Sequence, residues 1–345
     1  MNLQVKHCET TARNRRGAPP NWYGLLVREH PDAGFMQAAW WPPVLQTLGW
    51  WSHEVRVAEA GAWRGGANIF AHRHSHNWAY YYLPDGPILH PKAEPSWGYS
   101  AATMQQVLAQ IDLLREREDL PVSHLRLEAK NPLPPSLVPD FIAADGWVEP
   151  RTSQHIDLAH DDETLLANMT RKGRYNTNLA LRKGVQVTMD NSPKGIADFL
   201  EIYYGTMGRK GAFMMDRHYL STLCDNLIEY DAGGLFFASY QDMRLAAALT
   251  IFHGHTATYF FGGARNLHRN LKATCALQYG VMRHARDRGL QLYDLYGVSP
   301  PDQPHHQWAS ISEFKRQFGG VFVDYGPALD LVYDRAGYDA YLGRA

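Results

Sequence analysis

The chain has 345 residues, of which 34 are lysine or arginine and 35 are aspartate or glutamate, for a formal net charge of −1. This balance excludes a globally basic nucleic-acid-binding protein and leaves only a local basic patch for an RNA partner. A hydrophobic share of 45% with 20% charged residues excludes a disordered chain and predicts a globular protein of about two domains.

The opening MNLQVKHCETTARNRRG carries no signal-peptide core, and no later stretch approaches the roughly 20 apolar residues of a membrane span. We therefore expect a cytoplasmic protein. Three cysteines, Cys8, Cys224 and Cys275, lie far apart and form no CxxC pair. This spacing predicts neither a disulfide framework nor a zinc site.

The segment HRHSH places His72, His74 and His76 at alternating positions, where they could converge on one side of a strand. Metal sites favour histidine, but no nearby carboxylate or cysteine completes a ligand set. We expect an ordinary surface or a binding groove beside Trp78, and no metal.

Helix and strand patterns recur in both halves of the chain. Apolar residues at helical spacing over 103–119, then Pro121 and the run SHLRLEA, predict a helix followed by a strand. In the second half, 236–264 is typical of strands around a hairpin, 271–289 of a helix ending at Gly289, and LQLYDLYGV of a strand. The pattern predicts two α/β domains.

The proline-rich segment NPLPPSLVPDF is difficult to place inside a helix or strand, so the domain boundary should follow it. We expect a first domain over 1–153 and a second over 154–330, with 331–345 available to complete the first.

The most charged feature is DDETLLANMTRKGRYNTNLALRKGV, which predicts a largely helical segment from Asp161 or Asp162 to Gly184. Its second half contains five cations and no acid. They could hold phosphate, or they could form a solvated helix face with cations near its carboxyl end. The five are Arg171, Lys172, Arg174, Arg182 and Lys183.

Four segments, RYNTNLALRKGVQV, ATYFFGGA, YDLYGV and FKRQFGG, resemble the Fem aminoacyltransferases in order and approximate spacing. GFMQAAWWPPVLQTLGW and YYLPDGPIL are similar to the opening Gln-and-Trp segment and the Pro-x-Gly-Pro turn of that family. The chain is thus identified as a member of the FemABX family. It departs from the pattern at Asp85, where a basic residue is usual, and at Pro42 and Pro43, where the family can offer a lysine.

The resemblance implies an α/β fold with mixed sheets, arranged as two tandem GNAT-like acyltransferase domains without a coiled-coil insertion. It implies transfer of an amino acid from aminoacyl-tRNA, as co-substrate and without another cofactor, onto the stem-peptide amine of a peptidoglycan precursor. That muramyl-pentapeptide is UDP-linked or lipid-linked, and the product is the interpeptide bridge. A transient contact with the cytoplasmic face of the membrane is compatible with this function, and no DNA partner is expected.

The resemblance also assigns residues. Lys315 would stabilise the oxyanion that forms on the ester carbonyl, and Phe314 would form part of the site wall. The alternative is that Lys315 and Arg316 cover an edge strand. Substrate-binding candidates are Arg174, Asn176, Arg209, Lys210, Tyr259, Tyr293, Asp294, Tyr296 and Gly297. The tRNA patch would comprise Arg171, Lys172, Arg182 and Lys183.

Several of these roles stay open on the sequence. Asp294 is either a base or a turn residue, and Tyr293 and Tyr296 either shape the pocket or fill the core. One ring of the run TYFF, such as Tyr259, should face the cleft. Arg174, Arg209 and Lys210 are the candidates for contacts with the acceptor's phosphates, and the sequence does not decide between Arg209 and Lys210.

Two rival functions use the same features. An acyl-CoA N-acyltransferase would share the fold, but HRNLKATC places Lys272 and Thr274 where a pyrophosphate loop needs small residues. An RNA-binding module without catalysis would use the basic stripe and nearby aromatic residues.

Overall fold

The computed structural model describes residues 33–59, 62–89, 101–130, 136, 138–301, 303 and 305–344. They form two compact units, the first from the described residues up to Arg151 and from Tyr325 on, the second from Thr152–Asp324. The Tyr325 N–H donates to the Arg151 carbonyl at 3.1 Å. The chain therefore returns to the first unit beside the point where it left it, whereas the sequence placed the two crossings at 153 and 330.

The first unit is a seven-stranded mixed sheet in the order β1-β2-β3-β5-β14-β6, with β4 paired to β2. Only the β3–β5 pair is parallel among its described ladders. The strands are β1 Trp51–Glu59, β2 Ala62–Arg73, β3 Ala79–Pro84, β4 Ile88–Leu89, β5 Val122–Glu128, β6 Ile142–Ala143 and β14 Leu329–Val332. The helices are α1 Pro42–Gln46, α2 Ala101–Arg115 and α9 Arg335–Tyr341.

Helix α2 lies between the parallel strands in the chain, where a crossover helix is required. It begins two residues before the predicted 103–119 segment and ends at Arg115, earlier than Pro121 suggested. Its periodic apolar side chains are buried in the core of the first unit. They are Met104, Val107, Ile111 and Leu114.

The two weaker family motifs meet inside the first unit. The buried Gln37 side chain donates from Nε2 to the carbonyls of Pro84 at 2.7 Å and Asn68 at 3.1 Å. Its Oε1 accepts the Asn68 N–H at 2.9 Å. One glutamine thus ties the Gln-and-Trp segment to the Pro-Asp-Gly-Pro turn.

The second unit is a seven-stranded sheet in the order β13-β7-β12-β11-β10-β9-β8. Its parallel pair, β11 and β12, is joined by α7, again as a crossover. The strands are β7 Thr152–Asp157, β8 Gln186–Met189, β9 Gly233–Tyr240, β10 Met243–His253, β11 Thr256–Ala264, β12 Leu292–Asp294 and β13 Val321–Asp324. The helices are α3 Asp162–Asn168, α4 Arg171–Arg182, α5 Pro193–Lys210, α6 Arg217–Glu229, α7 Ala273–Asp287 and α8 Ala309–Arg316.

The segment predicted as one helix over 161–184 forms two, because Met169 and Thr170 adopt extended backbone between them. The Asp161 side chain caps α3 by accepting the Thr164 N–H, and the Thr170 hydroxyl caps α4 by accepting the Gly173 N–H. The segment is thus largely helical as predicted, but the capping Thr170 divides it into two helices.

The described residues also bear on the expectations about membrane spans, metal sites and cysteines. No helix in the described ranges combines the length and apolarity of a membrane span. The residues that the structure describes hold no group of three histidine, cysteine or acidic side chains placed for a metal. Cys224 and Cys275 are buried and free, whereas Cys8 lies outside the described residues.

Candidate functional site

A cavity of about 680 Å³ lies in the second unit. Its walls come from the end of α5, strand β11, the loop after β11, the first turns of α7 and one face of α8. Four predicted site residues line it: Arg209, Lys210, Tyr259 and Phe314. A cavity of this size suits a small ligand or the end of a larger one.

Lys315 lies behind this wall, in α8 rather than at a strand edge, and only 7% of its surface is exposed. Its ammonium donates to the carbonyls of Gly297 at 2.7 Å and Tyr296 at 3.2 Å, and it is 5.9 Å from the centre of the Tyr259 ring. Burial lowers the pKa of Lys315 to about 8, and the Asp294 carboxylate opposes that shift. The edge-strand alternative is wrong because the helix buries this side chain against a turn.

The turn that receives Lys315 follows β12 and has an unusual backbone. Tyr296 has a φ of 58°, in the left-handed region that non-glycine residues seldom adopt. Its N–H donates to Asp294 Oδ1 at 2.7 Å. A buried Ser312 hydroxyl on α8 accepts the Ser299 N–H at 2.7 Å, so that the helix also holds the end of the turn.

Tyr259 lines the cavity next to a bulge in β11. Thr250 of β10 lies opposite Tyr259 and Leu249 lies opposite Phe261, which leaves Phe260 as the extra residue. A Cβ atom at Gly262 would lie 2.2 Å from the Tyr259 hydroxyl, so the glycine provides the space for the phenol. Burial raises the pKa of Tyr259 to about 12, which keeps it protonated near neutral pH.

The rim of the cavity is strongly basic. Arg265 pairs with Glu201 at 2.7 Å. The other four rim cations have no acidic partner among the residues that the structure describes; they are Arg209, Lys210, Arg269 and Lys272. Arg265 and Arg269 were missed from the sequence, where their signal is the basic run ARNLHRNLK directly after the strand.

The predicted cations of α4 do not line the cavity. Arg174 donates to the Ala167 carbonyl at 3.1 Å, and Lys172 pairs with Glu313 at 3.2 Å. The remaining three are exposed at the two ends of the helix; they are Arg171, Arg182 and Lys183. The expected phosphate set is thus divided, with Arg209 and Lys210 at the cavity and Arg174 on α4.

Three further candidates lie outside the cavity lining, two on β12 and one on α4. Tyr293 is fully buried in the core, where its hydroxyl donates to Gln278 Oε1 at 2.5 Å. Asn176 lies at the limit of a hydrogen bond, 3.5 Å from Gln317 Oε1. Asp294 is 2% exposed and also accepts the Ser153 hydroxyl. Of the alternatives left open on the sequence, the structure favours the core for Tyr293 and the turn for Asp294.

Comparison with known proteins identifies a family for this chain. The FemAB family model matches residues 142–237 and 232–341. The Lipid II:glycine glycyltransferases of Staphylococcus haemolyticus strain JCSC1435 and Staphylococcus aureus strain USA300 are each 20% identical, over 92% of this chain and 92% of their own. The crystal structure of FemX matches with a TM-score of 0.80 at 16% identity, over 92% of this chain and 97% of that one. The resemblance and the mixed α/β fold expected from the sequence motifs are confirmed.

Proposed function

Since this chain belongs to the FemAB family, we propose that it transfers an amino acid from aminoacyl-tRNA onto the stem-peptide amine of a peptidoglycan precursor. The relatives named as Lipid II:glycine glycyltransferases support a lipid-linked acceptor and transfer into an interpeptide bridge. The observation that carries the proposal is the basic-rimmed cavity lined by Tyr259 and Phe314, with the Lys315 ammonium behind that wall, 5.9 Å from the centre of the Tyr259 ring.

The rim supports a polyanionic donor. Its four cations without acidic partners in the described part of the chain would meet the phosphates near the end of a tRNA, and released counterions would favour binding. The cavity would then take the terminal nucleotide and its aminoacyl ester. The cations of α4 would contribute a second, outer contact with the tRNA.

The reaction is a direct transfer. The acceptor amine attacks the ester carbonyl, a C–N bond forms, the C–O bond to the ribose breaks, and the amine proton passes to the departing ribose oxygen. Negative charge develops on the carbonyl oxygen during attack. Lys315 uses two of its protons on the Tyr296 and Gly297 carbonyls, so its third proton is available to that oxygen.

The proposal requires the ester carbonyl to reach the inner end of the cavity beside Tyr259. Protonated Tyr259 would hydrogen-bond there, and Phe314 would exclude water from one side. Aminoacyl-tRNA is the co-substrate, with no further cofactor, and the reaction would take place in the cytoplasm, with transient membrane contact when the acceptor is lipid-linked.

A mass measurement tests this function. Purified protein and a pool of charged tRNAs are mixed with UDP-MurNAc-pentapeptide in one reaction and with lipid II in detergent in another. We expect the precursor to gain the mass of one or more amino-acid residues, which also identifies the amino acid. No gain with either acceptor would refute the proposal.

An acyl-CoA-dependent transfer is the second candidate, because α7 begins at the cavity. The N-cap residue Lys272 has a left-handed backbone, and its side chain makes no capping hydrogen bond. The first backbone N–H groups of α7 are therefore available to an anion. Acetylation of an amine with acetyl-CoA, in the absence of aminoacyl transfer, would favour this function. RNA binding with neither reaction would favour a non-enzymatic module.

A further inference from the structure

The hydrogen bonds of the Lys315 ammonium go to main-chain carbonyl oxygens and not to acidic side chains. Its position therefore depends on the direction of two carbonyls, those of Tyr296 and Gly297. These carbonyls face the helix because the chain turns sharply after β12 through the left-handed Tyr296. A tyrosine in this conformation is energetically unfavourable and persists only where its surroundings hold it.

We propose that Asp294 is a positioning residue, whose carboxylate fixes the Tyr296 turn and thereby directs Lys315 towards the cavity wall. The contact that carries this is the 2.7 Å bond from the Tyr296 N–H to Asp294 Oδ1. A carboxylate that accepts the N–H two residues on stabilises such a turn. Removal of the carboxylate would take this hydrogen bond away from the left-handed backbone at Tyr296.

Asp294 is itself held in place by strand β7. The β7–β12 ladder pairs His155 with Asp294. The Ser153 hydroxyl donates to Asp294 Oδ1, and His155 Nε2 lies 3.6 Å from the same oxygen. Ser153 and His155 thus both lie beside Oδ1 of Asp294, and the buried serine donates its proton to that oxygen and does not act as a nucleophile.

Asp294 also acts on the charge of Lys315. Burial alone favours the neutral amine, and the carboxylate is the group that opposes it. Among the described residues, the titratable groups that act on or contact Lys315 are Asp294 on β12 and Tyr259 on β11, and His155 on β7 lies beside Asp294. Since Tyr259 is neutral near pH 7, the carboxylate is the negative charge that keeps the ammonium protonated.

The catalytic meaning of this role rests on the proposed function, so the first readout is independent of transfer. The side-chain resonances of Lys315 are followed by NMR against pH in protein with labelled lysine, assigned by their loss in Lys315→Met. Asp294→Asn keeps the shape of the side chain and removes its charge. We expect the Lys315 midpoint to fall by about one pH unit or more.

Asp157→Asn is the matched control. Asp157 also accepts the N–H two residues on, from Ala159 at 2.8 Å, but its side chain is 63% exposed. The Lys315 midpoint should not change in this variant. An equal shift in both variants would overturn the proposal.

The second readout is kinetic. In Asp294→Asn, kcat should fall at least tenfold. The alkaline limb of the kcat pH profile should shift to lower pH by the same amount as the NMR midpoint of Lys315. Asp294→Glu keeps the charge but displaces the turn, so kcat should fall while the midpoint stays near that of the wild type. A folded Asp294→Asn with unchanged midpoint and kcat would refute the positioning role.

Ser153→Ala serves if Asp294→Asn fails to fold. It should move the midpoint and kcat in the same directions by a smaller amount, and wild-type values of both would refute the proposal. If the wild-type protein transfers no amino acid, the proposed function fails, while the NMR titration still decides the role of Asp294.

Discussion

Arg126 of β5 and Asp330 of β14, 204 residues apart in the sequence, form a two-pronged ion pair with N–O distances of 2.8 and 2.9 Å. Asp330 is fully buried and also accepts the Tyr338 hydroxyl at 2.7 Å. This pair joins the returning C-terminal segment to the rest of the first unit. Its loss would leave a buried guanidinium without its carboxylate.

We therefore expect Asp330→Ala to lower the free energy of unfolding by about 3–5 kcal/mol, measured by urea denaturation. The control is Asp339→Ala, which removes the exposed pair with Arg335 and should cost about 0.5 kcal/mol or less. Equal effects of the two substitutions would show that the buried pair does not hold the segment.

Close packing at Gly173 gives a second prediction. A Cβ atom there would lie 2.1 Å from the Gln317 carbonyl oxygen, just beyond α8. Since a backbone oxygen must move, Gly173→Ala should destabilise the protein by about 1–3 kcal/mol. Gly208 is helical with nothing within 4 Å of the added atom, so Gly208→Ala should stabilise by about 0.5–1 kcal/mol. Thermal melts of both variants test this, and a stabilising Gly173→Ala would contradict the packing.

Lys315 should leave a signature in the pH dependence of stability. Its folded-state pKa of about 8 lies below the ordinary 10.5, so the unfolded chain binds more protons between these values. Wild-type stability attributable to this group therefore rises with pH over that window, by about 3 kcal/mol in all. In Lys315→Met this rise is absent.

The measurement is urea unfolding of both proteins at pH 7.5 and 10.5. The stability of Lys315→Met relative to wild type should decrease between the two conditions, because other groups titrate alike in both. A difference that does not vary with pH would mean that Lys315 is not a desolvated cation.

The cavity rim makes a prediction about the donor. Arg269→Ala and Lys272→Ala should each raise the KM for aminoacyl-tRNA by about fivefold near 0.1 M salt, with kcat little changed. The salt slope of log KM should become shallower by about one. Lys194→Ala, which removes a lysine paired with Asp198 at 2.6 Å, is the control. An unchanged salt slope in both rim variants would place the tRNA elsewhere.

Local signals were enough to predict much of the fold. The apolar period in α2 and the strand after Pro121 are properties of neighbouring residues, and so is the stop of α7 before Gly289. Thr170, whose hydroxyl caps the start of α4, is also a local signal. However, a threonine can equally lie inside a longer helix, so the residue alone does not fix the break. The extent of the bulge at Phe260 depends on pairing with β10 and has no local signal.

The candidate site depended on distant contacts. The resemblance indicated Lys315, but its burial follows from carbonyls 18 and 19 residues earlier, which a turn brings under α8. Arg269 joins Arg209 only because the loop after β11 folds beside the end of α5. Sequence spacing along α4, which suggested Arg174 as a partner, does not contain that information.

Replacement of Lys315 by methionine tests the central claim most directly. Turnover of aminoacyl-tRNA and precursor is measured by the mass of the product, with folding checked by circular dichroism and Lys194→Met as the matched control. The loss of an oxyanion donor predicts a fall in kcat of roughly a hundredfold or more with the control unchanged. Wild-type turnover in a folded Lys315→Met protein would remove Lys315 from the mechanism.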